Sequence, residues 1–341
     1  MTTLHDRALG ALTGLALGDA LGMPTQSMSR ERIARELGPI TGLVDGPADQ
    51  PIAPGMPAGS VTDDTEQALL VARLLVDGGG RVATRAFADA LMAWEGRMRA
   101  KGSLDLLGPS TSAAITAIAD GGDPAETGSG GTTNGAAMRV TPVAVAVPSA
   151  DPDALLRAVH DLSFVTHNTG LGLSGAAAVA GAVSAAVDGA DLDDALTYGL
   201  DLARRAETMG HWVAGASIPD RAGWVLRATH AMSTADLADF LVGVVGTSVQ
   251  SQESVVSALV IASRFRDDPY GGLCLAATIG GDTDTVAAMA GAILGATHGP
   301  AGFPADDVAT VSSVSDLDLA GVTDELLALR RSHAPAAPDP A

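Results

Sequence analysis

Apolar residues recur at three- and four-residue spacing through most of the chain, which is the spacing of one face of an α-helix. The helices predicted from this pattern are residues 4–21, 64–76, 85–100, 110–119, 153–164, 171–187, 193–207, 234–245, 253–263, 284–296 and 324–331. Only residues 143–147 have the pattern of a strand, and Pro142 and Pro148 flank them. The pattern therefore predicts an all-α protein.

Three Gly- and Pro-rich loops connect the predicted helices, at residues 46–59, 121–134 and 267–272. None of them separates stretches of different composition, as an interdomain linker would, and no internal repeat is found. We therefore predict one helical domain over residues 1–332. Residues 333–341 are rich in Ala and Pro and are predicted to form a disordered tail.

Composition and charge limit the class of protein and its partners. Hydrophobic residues make up 47% of the chain but aromatic residues only 3%, which favours helices packed closely through small side chains. The formal net charge of −20 repels nucleic acid and anionic membranes, so neither is expected as a partner. A substrate that carries phosphate would also be repelled unless cations are bound near it.

The chain has one cysteine, so no intrachain disulfide is expected. The first residues carry no signal-peptide pattern. No apolar run of about 20 residues is free of turn residues, as a membrane span would be. The most apolar candidate, residues 176–187, is short and rich in Ala and Gly. We expect a cytoplasmic protein.

Two acidic segments each follow a loop and open a predicted helix. The first reads Thr62-Asp63-Asp64-Thr65 and the second reads Asp282-Thr283-Asp284-Thr285. Helix capping would explain an acid or a hydroxyl at such a position. One cap needs one acceptor, however, whereas each segment supplies two carboxylates and two hydroxyls. This surplus of oxygen ligands indicates a metal site as the alternative.

Divalent cations would balance the charge of these segments if the two meet in the fold. Four carboxylates in one site would raise one another's pKa, and two divalent ions carry a matching positive charge. The ligands are carboxylates and hydroxyls, and no Cys or His cluster lies near either segment, which argues against zinc. Mg²⁺ fits best, Mn²⁺ is an alternative, and Ca²⁺ stays open. Sequence spacing does not show whether the segments meet.

Five motifs follow one another along the chain between about residues 10 and 300. They are GLALGDALG at 14–22, TDDT at 62–65, NGAAMR at 134–139, TH at 166–167 and GGDTDT at 280–285. In this order they resemble the ADP-ribosylglycohydrolase family, which includes dinitrogenase reductase-activating and arginine- and serine-specific ADP-ribosyl hydrolases. The resemblance implies a single orthogonal bundle of α-helices with a binuclear Mg²⁺ or Mn²⁺ site, and a monomer is expected.

In the family the two acidic motifs supply the metal ligands. Matched position by position, the implied ligands are Thr62, Asp63, Asp64, Asp282, Asp284 and Thr285. The stretch 128–135 lines the ADP-ribose site in the family, and N–H groups of a Gly-rich loop suit a pyrophosphate, although ordinary surface loops share this composition. The residues assigned to ADP-ribose are Gly131, Thr132, Asn134, Gly135, Met138 and His167. For His167, a purely structural role is the alternative.

Two further positions concern the reaction. Asp105 takes the place of an Asp that the family carries in a substrate-side loop, and an exposed loop acid is the alternative. Gln26 stands where the family usually has a Glu that reaches the metal site. An amide can coordinate a metal or hold a water, but it cannot act as a general base. Asp63, Asp64, Asp282 or Asp105 would then accept the proton of the attacking water.

The predicted function is a metal-dependent hydrolase that cleaves the glycosidic bond of ADP-ribosylated substrates at the anomeric carbon of the terminal ribose. The substrate could be a modified protein or a small molecule, and the leaving group is not predicted. Because of Gln26, a hydrolase of a free nucleotide-sugar or nucleoside derivative stays open. The third alternative is a catalytically silent ADP-ribose-binding protein, against which the full set of metal ligands argues.

Overall fold

The structure is a computed structural model that describes residues 2–100 and 107–333 of the chain. In these ranges the chain folds into 18 α-helices and no β-strand, which confirms the predicted all-α class. The helices are α1 (Leu4–Gly22), α2 (Arg30–Glu36), α3 (Asp63–Asp77), α4 (Thr84–Ala100), α5 (Pro109–Ala119), α6 (Pro124–Thr127), α7 (Gly135–Met138), α8 (Thr141–Ala146), α9 (Pro152–His167), α10 (Gly170–Val187), α11 (Leu192–Ala206), α12 (Ile218–Thr229), α13 (Thr234–Phe240), α14 (Ser251–Arg264), α15 (Pro269–Thr278), α16 (Thr283–His298), α17 (Ala305–Val314) and α18 (Leu319–His333). The shorter helical turns are Met23–Thr25, Leu241–Val245 and Pro300–Gly302.

Several long helices begin where a side chain caps the first backbone N–H groups. At the start of α10, Thr169 Oγ1 accepts a hydrogen bond from the N–H of Gly172 at 3.0 Å. At the start of α11, Asp191 Oδ1 accepts from the N–H of Asp194 at 3.0 Å. These helix starts are therefore fixed locally by residue type, which is why the periodic segments could be predicted.

Helices α1 and α16 pack with their backbones in direct contact. A row of glycines on α1 faces α16: Gly10, Gly14, Gly18 and Gly22. A Cβ on Gly14 would lie 2.0 Å from the carbonyl oxygen of Gly291, and one on Gly22 would lie 2.4 Å from the Cα of Asp284. Only glycine permits so close an approach, because any Cβ would overlap the facing backbone. The row of glycines thus brings α1 against the first residues of α16.

Helix α10 is a core helix. It is long and apolar enough to cross a membrane, and no other helix in residues 2–100 and 107–333 is. However, 94% of the apolar stretch Gly170–Val187 is buried inside the protein, where it packs against α9, α11 and α16. Its Ala- and Gly-rich sequence lets these helices approach closely.

Two local predictions were wrong. Residues 143–147 are not a strand: residues 143–146 belong to α8, and Val147 is its C-cap. Periodicity does not separate strand from helix in a short buried run, and Pro142 is favoured in the first helical turn. The predicted loop 267–272 contains the start of α15. There Asp268 caps the helix by accepting a hydrogen bond from the N–H of Gly271 at 3.0 Å. The helix was not predicted because the two glycines of this turn have a low helix propensity.

Other boundaries also differ from the pattern. The predicted helix 234–245 passes from α13 into a π-helical turn at Leu241–Val245, and α2, α6, α12 and α17 were not predicted. His333, predicted to begin the tail, is the last residue of α18. Residues 334–341 lie outside the described ranges, so the disordered tail and the single-domain division stay predictions.

Candidate active site

The candidate site is a cavity of about 330 Å³, called the cleft below, with walls from α3, α5, α7 and α16. Its lining includes residues from the acidic motifs and the NGAAMR motif: Gln26, Asp63, Thr133, Asn134, Gly135, Met138, Asp282, Asp284 and Thr285. A larger cavity of about 810 Å³, with Asp193 and Arg227 in its wall, holds no residue of any motif. The concentration of acids therefore locates the site in the smaller cavity.

The first acidic turn, residues 62–65, is fastened to α1 by the fully buried carboxylate of Asp19. Asp19 accepts from the backbone N–H of Thr62 at 3.0 Å and of Thr65 at 3.1 Å. It also accepts from their hydroxyls, at 2.8 Å from Thr62 and 2.5 Å from Thr65. Burial raises the pKa of Asp19 to about 6, while the hydrogen bonds from Thr65 and Thr62 lower it. Asp19 thus caps α3 from another helix.

This capping releases Asp63 and Asp64 for another role. Thr62 Oγ1 accepts from the N–H of Asp64 at 3.3 Å, so neither acid is the cap of α3. Asp64 is 1% exposed, and its Oδ1 has no hydrogen-bond partner among the described residues. Asp63 lines the cleft, and its Oδ2 accepts from Gln67 Nε2 at 2.7 Å. Helix capping therefore does not explain these two acids.

The second acidic turn, residues 280–285, is fastened through its backbone. The N–H of Gly281 donates to the carbonyl of Met28 at 2.9 Å, and its carbonyl accepts from the N–H of Ser27 at 2.7 Å. The N–H of Asp282 donates to the carbonyl of Thr247 at 2.7 Å. Gly281 has a φ of +82°, and a Cβ there would lie 2.4 Å from that carbonyl oxygen. The Asp282 side chain makes no cap hydrogen bond to α16, so it too has another role.

The two turns meet. Thr285 Oγ1 of the second turn donates to Asp64 Oδ2 of the first turn at 3.2 Å. Burial raises the pKa of Asp64 well above its usual range, and so do the nearby carboxylates Asp284, Asp19, Asp63 and Asp282. Burial also raises the pKa of Asp282, while hydrogen bonds from Asn134 and Thr285 lower it. The carboxylates of both turns therefore share one electrostatic site.

The donor set of this site suits a hard divalent cation. Its groups are carboxylate and hydroxyl oxygens, and a cation would offset the repulsion that raises the pKa of Asp64. The buried Oδ1 of Asp64 is an oxygen that the described part of the chain leaves for such a ligand. Over residues 2–100 and 107–333, no group of three or more His, Cys, Asp or Glu side chains is arranged so that it could hold a metal ion. The fold thus gathers the acids without bringing them to ligand positions.

Gln26 lies in the wall of the cleft and is 6% exposed. Its backbone carbonyl accepts from Gln50 Nε2 at 2.8 Å, and Gln50 also donates to the carbonyl of Met23 at 3.3 Å. The side-chain Nε2 of Gln26 is buried and has no acceptor within the described ranges. Gln26 therefore offers a hydrogen-bond donor at the cleft.

Gly128 and Gly131 of stretch 128–135 serve close packing against α9. A Cβ on Gly131 would lie 2.0 Å from the carbonyl oxygen of Thr166, so this glycine is needed for close approach to α9. Thr132 Oγ1 donates to Gln250 Oε1 at 3.2 Å, and neither Gly131 nor Thr132 lines the cleft. The helix that follows, α7, has four residues. Contacts of Gly131 and Thr132 with a pyrophosphate stay a prediction.

Asn134, Gly135 and Met138 do line the cleft. The Nδ2 of Asn134 donates to Asp282 Oδ2 and, at 2.9 Å, to Ser254 Oγ. An amide that donates to a carboxylate fixes its orientation, so Asn134 orients Asp282. This contact gives Asn134 a role that its assignment to ADP-ribose did not include.

His167 lies behind the wall of the cleft and is fully buried. Its Nε2 is 3.0 Å from Thr133 Oγ1, and its Nδ1 is 2.8 Å from Thr166 Oγ1. Burial, and next the charge of Arg139, lower the pKa of His167 well below its usual range, so the ring is neutral. It reaches the cleft through Thr133, a residue that sequence reasoning did not select.

The predicted ligands fall into two layers. Asp63, Asp282, Asp284 and Thr285 line the cleft, whereas Thr62 and Asp64 lie directly behind it. Asp105 lies outside the described residues. Sequence reasoning missed Asp19, Gln67 and Arg139, which hold the cleft residues from behind; Asp19 and Arg139 were visible only as members of motifs.

Comparison with known proteins gives concordant matches. A family model described as ADP-ribosylglycohydrolase matches residues 1–336. The chain is 35% identical over 314 residues to the uncharacterized protein YegU of Escherichia coli (strain K12), which covers 92% of this chain and 94% of that protein. It is 27% identical over 329 residues to the ADP-ribosyl-[dinitrogen reductase] glycohydrolase of Rhodospirillum rubrum, with 96% and 97% covered. A solved chain of an ADP-ribosylglycohydrolase-related protein complex matches with a TM-score of 0.68 and 25% identity, covering 98% of this chain and 100% of that chain.

Proposed function

Because the chain belongs to the ADP-ribosylglycohydrolase family, we propose that it hydrolyses ADP-ribosylated substrates at the anomeric carbon of the terminal ribose. We propose that the reaction depends on two Mg²⁺ ions, for which Mn²⁺ can substitute. The residues that would hold them are Thr62, Asp63, Asp64, Asp282, Asp284 and Thr285. When bound, the ions would hold ribose hydroxyls and lower the pKa of a water.

The observation that carries this proposal is the hydrogen bond from Thr285 to Asp64, which joins the two acidic turns beside the cleft. It makes one site of acids that lie more than two hundred residues apart in sequence. The raised pKa of Asp64 supports the proposal, because clustered buried carboxylates are costly without a cation. Bound cations would also let a chain of net charge −20 accept a substrate with phosphate groups.

Asp63 is the acid best placed to accept the proton of the attacking water. It lines the cleft and is half-buried, and its Oδ2 is oriented by Gln67. Asp64 lies behind the wall, and Asp282, which is also half-buried in the wall of the cleft and is oriented by Asn134, is the alternative. Gln26 has no basic group, so it would bind substrate or water instead.

A second candidate function is hydrolysis of a free nucleotide-sugar or nucleoside derivative. The buried Nε2 of Gln26, which lacks an acceptor in the described part of the chain, favours it. A carboxylate at this position would accept from a donor such as a guanidinium, whereas the amide offers a hydrogen to an oxygen acceptor. Gln26 thus favours a leaving group that presents oxygen at the cleft.

The test is turnover of a panel of substrates by the purified protein: ADP-ribosyl-arginine, ADP-ribosyl-serine and free ADP-ribose conjugates, each with Mg²⁺ and with a chelator. We expect release of ADP-ribose from at least one substrate, lost on chelation. Turnover that survives complete metal removal would contradict the metal proposal. Absence of turnover with every member of the panel would contradict hydrolysis of ADP-ribose linkages.

Variants of Gln26 separate the two candidate functions. We expect Gln26→Ala to weaken binding or turnover by about 1 kcal/mol, the contribution of one neutral hydrogen bond, and not by the 10²–10⁴-fold of a general base. Gln26→Glu should preserve or raise turnover of ADP-ribosyl-arginine if the chain shares that substrate. A loss in this variant, with turnover of a free conjugate by the wild type, would favour the second function.

A further inference from the structure

Six side chains form a line of hydrogen bonds that leaves the cleft at one point and returns to it at another. We call this line the Arg139 network, and its members in order are Asp63, Gln67, Arg139, Thr166, His167 and Thr133. The successive heavy-atom distances are 2.7, 2.7, 2.7, 2.8 and 3.0 Å. Both terminal residues line the cleft, so the network connects two places where a substrate can make contact.

Arg139, in the middle, is a fully buried cation. Its guanidinium donates to Gln67 Oε1, to Thr166 Oγ1 and, at 3.4 Å, to Thr111 Oγ1, and it lies 5.0 Å from the centre of the Phe87 ring. All four partners are neutral. Burial lowers the pKa of Arg139 to about 9, and the charge of Asp63 acts in the opposite direction. Packing alone would not favour a buried charge with neutral partners, because its desolvation is costly.

Arg330 shows how the same fold buries a structural arginine. It is 5% exposed, donates to backbone carbonyls that include Ala144 and Val147, and pairs with Asp188 at 2.6 Å. Its bonds fasten the ends of α8 and α10. Arg139 instead donates to the side chains of Gln67 and Thr166, which connect it to residues that line the cleft.

Because a guanidinium only donates, Arg139 sets the direction of every bond in its network. Gln67 must turn its carbonyl oxygen toward Arg139, so its NH₂ group donates to Asp63. Asp63 is thereby held as an acceptor, which suits a residue that binds a cation or takes a proton from water.

The other arm of the network runs through Thr166 and His167, and it ends at a hydrogen-bond donor instead of an acceptor. Thr166 Oγ1 accepts from Arg139 and lies 2.8 Å from Nδ1 of His167, to which it has a hydrogen to donate. Arg139 also approaches this nitrogen, at 3.5 Å, as it would an acceptor. The neutral ring therefore carries its proton on Nε2 and donates it to Thr133 Oγ1. The hydroxyl hydrogen of Thr133 remains for an acceptor in the cleft.

We propose that Thr133 is a hydrogen-bond donor to a phosphoryl oxygen of the substrate, and that Arg139 is the positioning residue that fixes this role. The inference rests on the proposed function, in which the pyrophosphate of ADP-ribose supplies oxygens that accept hydrogen bonds and never donate them. Arg139 acts through Thr166 and His167 on Thr133, and through Gln67 on Asp63. One buried cation thus sets a donor and an acceptor on two sides of the cleft.

The first experiment measures ADP-ribose binding by titration calorimetry in the presence of Mg²⁺. Thr133→Val removes the donor and keeps the shape of the side chain, whereas Thr133→Ser keeps the donor. Thr297→Val is the matched control, because this partly buried hydroxyl donates to the carbonyl of Ile293 within α16 and does not line the cleft. We expect Thr133→Val to weaken binding about tenfold or more, as for one hydrogen bond to a charged oxygen, and the other two variants to bind like the wild type.

Arg139 is tested by the conservative variant Arg139→Lys, which keeps the charge but not the two-armed geometry. We expect it to weaken ADP-ribose binding as Thr133→Val does. Arg330→Lys is the control, expected to lower thermal stability and leave the dissociation constant unchanged. Equal effects of the two lysine variants on the dissociation constant would reduce Arg139 to a structural role.

Nitrogen-15 NMR of His167 tests the network without a ligand. We expect the ring proton on Nε2 in the wild type, and a proton on Nδ1 would overturn the inference, since Thr133 would then donate to the ring. If the wild type binds ADP-ribose and Thr133→Val binds it equally well, the inference alone fails. If the wild type does not bind ADP-ribose, the proposed function fails and the phosphoryl assignment with it, while the position of the ring proton still decides the direction of the network.

Discussion

The two acidic turns carry the same chemistry but are fastened in different ways. The first turn is held by a side chain, because the buried carboxylate of Asp19 takes hydrogen bonds from Thr62 and Thr65. The second turn is held by its own backbone, which pairs with Met28 and Thr247 and needs glycine at position 281. One turn depends on a buried charge, and the other on a backbone conformation.

The difference shows that similar acids divide into fasteners and candidate ligands only through their contacts. The carboxylate of Asp19 makes the hydrogen bonds that hold the first turn, and backbone hydrogen bonds at Gly281 hold the second turn. Asp63 and Asp64, and likewise Asp282, are therefore not needed as helix caps. Changes to the fasteners should affect stability first, and changes to the candidate ligands should affect activity first.

Asp64→Asn should have the largest effect on activity and the opposite effect on stability. We expect turnover to fall by about 10³-fold or more, since a carboxylate of the metal site is lost. The metal-free protein should melt at a higher temperature than the metal-free wild type, because burial and the neighbouring carboxylates disfavour the charge of Asp64. Asp77→Asn, at the exposed end of α3, is the control for both assays. A metal-free variant that melts lower than the wild type would contradict this account.

Asp19→Asn should have the largest effect on stability, because the amide places a donor where the first turn presents donors. We expect a loss of about 3 kcal/mol in the free energy of unfolding, since hydrogen bonds to a charged group contribute about 1.5–3 kcal/mol each. Urea denaturation of the metal-free protein measures it. Wild-type stability in this variant would mean that the first turn is fastened by something other than Asp19.

Gly281→Ala tests the fastening of the second turn. We expect a loss of about 2 kcal/mol, because the residue must keep a positive φ while its Cβ meets the carbonyl oxygen of Thr247. Gly55→Ala is the matched control, with a φ of +67° and no atom within 4 Å of the added Cβ, and should cost about 1 kcal/mol. Equal losses in the two variants would mean that the positive φ alone explains the loss of stability. The contact of the Cβ with the carbonyl oxygen of Thr247 would then contribute nothing.

The smallest expected effect is a pH dependence of stability that comes from His167, in the Arg139 network behind the cleft. The folded pKa of His167 lies well below its usual value of 6.5, so below pH 6.5 the unfolded chain binds a proton that the folded protein does not. Stability should therefore fall by about 1.4 kcal/mol per pH unit below that value, relative to His167→Gln. Urea denaturation of both proteins at neutral and mildly acidic pH checks it. A constant difference between them would show that His167 takes up a proton in the folded state.

Much of the fold follows from the sequence, because periodic apolar positions and caps act locally. The long helices, such as α1, α10 and α16, were predicted to within a few residues. Short helices escaped prediction since packing stabilises them against their own propensity, as in α15, where Gly272 lies against Phe265.

The candidate site was predictable in its acids but not in its supports. Surplus carboxylates at two helix starts are visible in sequence, whereas the bond from Thr62 to Asp19 joins residues far apart in the chain. Thr132 and Thr133 are neighbours of the same type, and only side-chain direction decides which lines the cleft. Long-range contacts and side-chain directions of this kind are properties of the folded chain.

The most direct test of the central claim is anomalous diffraction from crystals grown with Mn²⁺. The claim is that the first and second acidic turns form one metal site. It predicts two anomalous peaks between the turns, each with at least one carboxylate ligand, from Asp63 or Asp64 on one side and from Asp282 or Asp284 on the other. Peaks bound to one turn alone, or no peak between the turns at saturating Mn²⁺, would contradict it.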